Sequence, residues 1–316
     1  MKILCIGEAL IDMICTDTGT SLSKGEHFLK KPGGAPTNVA AAIAALGGDV
    51  LLSAKVGADP FGQQLIDVMK DFGVSTMHMV QDKNNFTTFA FVSLMPDGER
   101  DFVFNRGADG ELNEADLEGI ALNECSIAHF GSATAFLPGP LQHAYKSLVQ
   151  KAIDKNIFIS FDPNYRQLLW KTNVESFIEQ SWYFMERCHF FKVSDEEALL
   201  ITGSASVNDA VKILSEKTNT TFAITLGKAG TLLVHKKNQA TVSSIPVKSI
   251  DSTGAGDAFV GAVLYQLRNY SLQEIQAMSD NEWKIIIANG NKAGARTCEY
   301  MGAMEAFHHL SSQIFD

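Results

Sequence analysis

From one end to the other, short apolar runs in this chain alternate with longer amphipathic stretches, and few folds accommodate that rhythm. The short runs are Ile3 to Ile6, Val50 to Val56, Phe89 to Leu94, Ile127 to Phe130, Phe158 to Phe161, Phe190 to Val193, Phe222 to Leu226 and Leu232 to His235. Bounded by Gly, Asp or Pro, they read as strands. Between them, Pro36 to Leu46, Pro60 to Phe72, Pro140 to Lys155, Val174 to Arg187, Asp195 to Thr202, Val207 to Thr218, Ala255 to Arg268 and Glu282 to Thr297 read as helices. Strand alternating with helix predicts an α/β fold, a mostly parallel sheet with helices on both faces. The punctuation agrees. Asp59 can cap a helix that starts at Pro60, and Gly73 supplies a left-handed stop after Phe72.

One stretch breaks the rhythm. Thr87 to Leu94, the turn Met95-Pro96-Asp97-Gly98-Glu99, and Arg100 to Arg106 read as a β-hairpin. Paired with residues about 11–20, it would make a small β-sheet lid over the main sheet. The chain has 316 residues, a length that suits one large α/β domain or two smaller ones. With no repeat, low-complexity tract or linker, the expectation is a single domain, 1–316, with lid segments about 11–20 and 87–106 inserted.

Charge narrows the partners. Lys and Arg number 26 against 36 Asp and Glu, a formal net charge of −10, which argues against nucleic acid or an anionic membrane surface as the main partner. The longest apolar runs fall short of a membrane span. The five cysteines are scattered, odd in number and without a C-x-x-C pair, so neither zinc nor a redox dithiol is indicated. The N-terminal apolar stretch stops at Glu8, too early for a signal peptide, and the expected location is the reducing cytoplasm.

Chemistry concentrates in two glycine-rich segments. Asp251-Ser252-Thr253-Gly254-Ala255-Gly256-Asp257 opens the apolar run Ala258 to Leu264. Small residues at a helix start leave N–H groups uncovered, and with the helix dipole these attract an anion such as phosphate. Asp257, in the first turn, can take the proton of an attacking hydroxyl. Taken alone, the segment reads first as a glycine-rich turn with a capping Asp. Pro32-Gly33-Gly34-Ala35-Pro36-Thr37-Asn38 opens the Ala-rich helix Val39 to Leu46; its glycines allow close approach to the main chain, and Asn38 offers a donor and an acceptor. Asp12 follows the first strand, where doubly wound sheets bind ligands. Neither the G-x-G-x-x-G fingerprint nor the G-x-x-x-x-G-K-[ST] loop occurs, and the eight histidines show no metal-ligand spacing.

Together these segments resemble the ribokinase-like (PfkB) carbohydrate kinases along nearly the whole chain and in the right order. Gly33 to Ala40 is similar to the family's first signature and Asp251 to Phe259 to its second, with Gly57-Ala58-Asp59-Pro60-Phe61-Gly62 and Thr225-Leu226-Gly227-Lys228-Ala229-Gly230 between them. The resemblance implies a Rossmann-like domain with a β-lid. It implies Asp257 as catalytic base, with Gly254, Ala255 and Gly256 as the anion hole for the γ-phosphate of ATP. Asp12, Gly33, Gly34 and Asn38 would hold sugar hydroxyls. Ser194, Thr225, Gly227, Gly230, Gly256 and Asn291 would line the nucleotide, and Glu197 would organise Mg²⁺ through water. Ser194 stands where the family's N-x-x-E element has Asn. Asp251 and Thr253 occupy the positions that contribute to a monovalent cation site, K⁺ in many relatives. The terminal Gly302-Ala303 lacks the usual following Pro.

Two further segments bear on the sugar. Asp162-Pro163-Asn164-Tyr165-Arg166 and Gly98 to Arg106 resemble the D-P-N-x-R and G-E-R-x-F-x-F-x-R stretches of fructokinases and ketodeoxygluconate kinases. Arg106 and Arg166 suit either a carboxylate or hydroxyls. In the acid-specific kinases a Tyr commonly precedes the lid Arg by two; Phe104 lacks that hydroxyl, which favours D-fructose. The expectation is therefore a fructokinase-like enzyme that makes fructose 6-phosphate. The alternatives are a 2-keto-3-deoxygluconate kinase and, in another class, a catalytically silent sugar- or nucleotide-binding regulator. A homodimer through the lid is also expected.

Overall fold

The computed structural model describes residues 1–95 and 100–315. Its strands are β1 (Lys2–Ile6), β2 (Leu10–Cys15), β3 (Phe28–Gly33), β4 (Val50–Gly57), β5 (Ser75–Asp82), β6 (Thr88–Leu94), β7 (Arg100–Asn105), β8 (Cys125–Phe130), β9 (Phe158–Phe161), β10 (Phe190–Ser194), β11 (Thr221–Thr225), β12 (Thr231–His235) and β13 (Asn238–Val242). The helices are α1 (Ala35–Ala45), α2 (Pro60–Phe72), α3 (Pro140–Asp154), α4 (Gln167–Trp170), α5 (Val174–Met185), α6 (Asp195–Thr202), α7 (Val207–Lys217), α8 (Ala255–Leu267), α9 (Leu272–Ala277), α10 (Asp280–Thr297) and α11 (Ala303–Phe307).

Nine strands form the main sheet in the order β13-β12-β11-β10-β9-β8-β1-β4-β5. Its pairs are parallel from β5 to β11, and β12 and β13 extend it antiparallel. Successive strand residues point to opposite faces. Ile3, Cys5 and Phe190 therefore enter one core with α1, α8 and α10. Leu4, Ile6 and Phe191 enter the other, with α3, α5 and α7. Both faces are covered, which explains the near-continuous apolar runs. From β1 the chain moves to β4 and β5 on one side, then returns through β8 to the other. That reversal puts a crevice at the carboxyl ends of β1 and β8, where ligands bind in such sheets.

The lid is a four-stranded sheet in the order β3-β2-β6-β7. One reading of it needs correction. Segment 11–20 is strand only to Cys15, and the missing partner is β3, hidden in the sequence by Lys30-Lys31-Pro32. Pro32 is tolerated because β3 is an edge strand. Phe89, Phe91, Phe102 and Phe104 divide between the two faces of the lid. Phe104 sits opposite Ala90 and Phe102 opposite Val92, whereas Phe91 sits opposite Val103. Ala90 is also opposite Asp12, so Phe102 and Phe104 share Asp12's face while Phe89 and Phe91 turn to Phe61 and Phe28. The hairpin turn, residues 96–99, lies outside the described residues. Edge strands β5 and β13 carry mixed polar sequences that the apolar-run criterion passes over.

Helix boundaries follow the local chemistry. Asp59 accepts from the N–H groups of Phe61 and Gly62, and Gly73 ends α2 at φ 87°. No helix among the described residues is long and apolar enough to cross a membrane.

Candidate active site

The carboxyl ends of β1, β9, β10 and β11 face the first turns of α1 and α8, and the side chains singled out in the sequence gather there. Gly254 caps α8 in the left-handed region at φ 81°. A Cβ on it would lie 2.4 Å from Cβ of Ala303, so glycine is required twice over. The Ala255 N–H donates to the Ser252 carbonyl at 3.2 Å and closes the turn. Gly256 and Asp257 follow in the first turn, whose N–H groups have no partner within the helix.

Asp257 is 7% exposed, and its Oδ2 accepts 2.8 Å from Nδ2 of Asn38. These residues lie 219 positions apart, joined by the packing of α1 on α8. Burial pushes the Asp257 carboxyl up to about 6, with the Asn38 hydrogen bond and the Arg166 charge pulling the other way. Oδ1 of Asn38 is buried without a hydrogen-bond partner. A buried acceptor left open beside a carboxylate suits a hydroxyl-bearing ligand.

Asp12 approaches from the lid. A Cβ on Gly33 would fall 2.1 Å from its Oδ2, so the bare glycine lets that carboxylate lie across the turn. Burial lifts Asp12 to about 6, and the Arg166 guanidinium opposes the shift. Arg166, at the end of the 162–166 loop, thus acts on both carboxylates. Arg106 does not join them. Its Nη1 and Nη2 donate to the carbonyls of Pro138 and Thr134 at 2.7 and 3.2 Å, and its Nε is 3.7 Å from Asp109.

Glu8 was read only as the end of an apolar run, yet it builds this site. It is 1% exposed, and its carboxylate accepts from Ala35 N–H at 3.0 Å, from Ala133 N–H at 3.3 Å and from the Ser132 hydroxyl. Thr37 Oγ1 donates to its carbonyl, and a Cβ on Gly34 would meet that carbonyl at 2.4 Å. Glu8 therefore pins the Gly33-Gly34 turn. An acid two residues after an inner strand is the signal that could have revealed it. Lys192 was missed too; its clue is a lysine inside the buried run Phe190 to Val193.

The residues expected from the sequence to meet the nucleotide line the same edge. Glu197 completes a capping box with Ser194, accepting its N–H at 2.7 Å, and its other oxygen accepts Tyr165 N–H at 2.8 Å. Each oxygen retains a lone pair for water, which fits an outer-sphere role toward Mg²⁺, a cation that keeps several waters. Thr225 ends β11, and the turn after it uses Gly227 and Gly230 at φ 56° and 106°. Gly230 has no room for a side chain, since a Cβ would lie 2.2 Å from the Val242 carbonyl. Asn291 accepts from Thr231 Oγ1 at 2.6 Å and donates to the Val242 carbonyl at 2.9 Å, tying α10 to β12 and β13. Asp251 accepts from the N–H and hydroxyl of Thr253 and from Gly302 N–H.

A helix start with unpaired N–H groups, a carboxylate beside it and a second carboxylate over a glycine turn fit a phosphotransferase acting on a polyhydroxy acceptor. The description "pfkB family carbohydrate kinase" matches residues 1–310. The chain belongs to the pfkB family of carbohydrate kinases and is a fructokinase-like sugar phosphotransferase. It is 37% identical over 309 residues to probable fructokinase-5 of Arabidopsis thaliana, covering 96% of this chain and 93% of that protein. Among solved structures, fructokinase from Xylella fastidiosa with bound ATP aligns with a TM-score of 0.87 at 27% identity, covering 99% of this chain and 96% of that one. A double mutant of Vibrio cholerae O395 fructokinase, bound to fructose, ADP and potassium, aligns at 0.85 with the same identity and coverage.

Proposed function

We propose that this chain is an ATP-dependent fructokinase that phosphorylates the 6-hydroxyl of D-fructose. The observation that carries the reading is the Asp257–Asn38 pair, a carboxylate near pKa 6 at an anion-attracting helix start, beside an open buried acceptor. Fructokinase relatives at this identity support the choice of sugar. The 6-oxygen bonds to the γ-phosphorus as the bond from that phosphorus to the β–γ bridging oxygen breaks. The electron pair leaves on ADP, and the hydroxyl proton passes to Asp257. Asp12, Gly33, Gly34 and Asn38 orient the sugar, with Phe104 on the same lid face as Asp12. N–H groups at Gly254 to Gly256 meet the transferred charge.

Glu197 would hold Mg²⁺ through water, and the ion would neutralise phosphate charge. Asp251 and Thr253 would serve K⁺. Lid closure excludes water and spares ATP from hydrolysis. A homodimer through the lid belongs to the same reading: Ile14 and Leu29 are cross-strand partners exposed at 40% and 43%.

The exposed Arg166, acting on Asp12 and Asp257, favours one competitor, a 2-keto-3-deoxygluconate kinase that would clamp the acid with that guanidinium. A catalytically silent regulator has less support, since Asp257 and the glycine turn are in place. ADP release with Mg²⁺-ATP and K⁺ on fructose, 2-keto-3-deoxygluconate, ribose, adenosine and fructose 6-phosphate tests all three. Turnover on fructose supports the proposal and turnover on the keto acid alone overturns its substrate. Silence on all five, with sugar binding still measurable by calorimetry, leaves the regulator.

A further inference from the structure

A lysine within a parallel strand is costly unless its charge is matched. Lys192 lies in β10 between the fully buried Phe191 and Val193, and it is the one buried lysine or arginine among the described residues. Its Nζ is 3.1 Å from Oδ2 of Asp162, just past the end of β9. On its other side, a Cβ built on Gly256 would lie 3.3 Å from the same nitrogen. The ammonium therefore sits directly beneath the first turn of α8, and the bare glycine at 256 leaves that turn close to it.

The surroundings make this charge more than a fastening. Asp162 from the loop after β9, Glu197 from α6 and Asp257 from α8 all act on Lys192. Burial pulls the ammonium's pKa down, but these carboxylates, Asp162 foremost, more than offset that and hold it above its usual value. Behind it, on β8, His129 is fully buried and neutral, pushed down to about 3 by burial and, secondarily, by Lys192. Asp162 is fixed in turn, because its Oδ1 accepts from Asn164 N–H at 3.2 Å in the loop that ends at Arg166. The groups facing Asp257 are then Asn38, Arg166, Asp162 and Lys192. An anion arriving at the start of α8 adds negative charge to a site already holding three carboxylates, where the low dielectric magnifies every charge.

We propose that Lys192 is a positioning residue of the phosphoryl-transfer site, an ammonium clamped by Asp162 that supplies fixed positive charge beneath Gly256 and draws the γ-phosphate of ATP to the start of α8. The proposal rests on the phosphotransferase reading. It gives the strand lysine a use that burial alone does not, and it links the loop of Arg166 on the sugar side to the phosphate side through one ion pair.

Three variants test it: Lys192→Met, Lys192→Arg and the double variant Asp162→Asn with Lys192→Met. Lys192→Met should lower kcat about 100-fold with the sugar KM within about twofold. Its preference for ATP over ADP, measured by calorimetry, should fall about tenfold. Its acid limb should move to higher pH, because Asp257 loses a nearby positive charge. The single change also strands Asp162 and lowers Tm; the double variant removes that stranded charge and should regain Tm. A double variant that regains Tm while kcat and ATP preference stay low supports the proposal. Recovery of both to wild-type values would overturn it and leave the pair a folding device. So would a Lys192→Arg enzyme as inactive as Lys192→Met. A wild type that turns over no sugar would overturn the phosphotransferase reading instead, and the ATP-over-ADP preference would still test Lys192.

Discussion

Around Asp257 the functional side chains rise from the ends of inner parallel strands or from the first turn of a helix, and Asn38, Asp162, Lys192 and Asp257 are each under 9% exposed. Asp12 stands instead on a four-stranded sheet on which Ile14, Leu29 and Val103 are 40%, 43% and 51% exposed. The Asp257 end has little room to move, whereas the Asp12 end rests on an element with few buried neighbours. Elements of low local stability are the ones that close over ligands. With the function proposed above, the difference gives the phosphate end, at Asp257, the chemistry and the sugar end, at the lid, the recognition.

The largest test of that division is Asp257→Asn. Turnover should fall about 10³- to 10⁴-fold while sugar binding by calorimetry changes little. Near-normal activity would remove the phosphate end from the chemistry. The same variant should be more stable at neutral pH. A buried acid whose folded pKa is raised to about 6 favours the fold when protonated and loses that advantage as pH rises through the folded value, so Asp257 weakens the fold above pH 6. Asn carries no such penalty, and Tm at pH 7 to 8 should rise. The wild-type rate should fall as pH drops through about 6, where Asp257 takes up a proton.

At the lid, Gly33→Ala should act on recognition. Its Cβ would fall 2.1 Å from the Asp12 carboxylate and push it aside. The sugar KM should rise about tenfold or more, with a smaller change in kcat. An equal loss in both would blur the division between the ends. Asn291→Ala reaches neither end directly; it orphans Thr231 and the Val242 carbonyl, costs about 1–3 kcal/mol, and should show in Tm before it shows in rate. Phe104→Tyr is the smallest change. Restoring a hydroxyl on Asp12's face should raise the ratio of keto-acid to fructose turnover, by up to about tenfold.

The main sheet was legible because inner parallel strands must be apolar on both faces, and the eight long helices because their caps and periodicity are local. β3, β5 and β13 were not, since edge strands carry polar residues that a search for apolar runs ignores. Within the site, the glycine turns and Asp257 were readable as motifs. Glu8 and Lys192 were not, for their roles depend on contacts that only the fold creates, Ser132 lying 124 positions from Glu8 and Asp162 30 positions from Lys192. Arg106 and Asn291 were readable as residues but not in their bonding, which the structure assigns to backbone carbonyls and Thr231.

The bond from Asn38 to Asp257 spans 219 positions, and every inner strand of the main sheet is made between its two ends or before them. A chain emerging from the ribosome can therefore complete the lid and seven parallel strands before the proposed base, Asp257, exists. With Asp257 in that proposed role, such a chain has nothing with which to spend ATP. Turnover would then begin only once α8 docks on α1, and would double as a report that synthesis and folding have both reached the last fifth of the molecule.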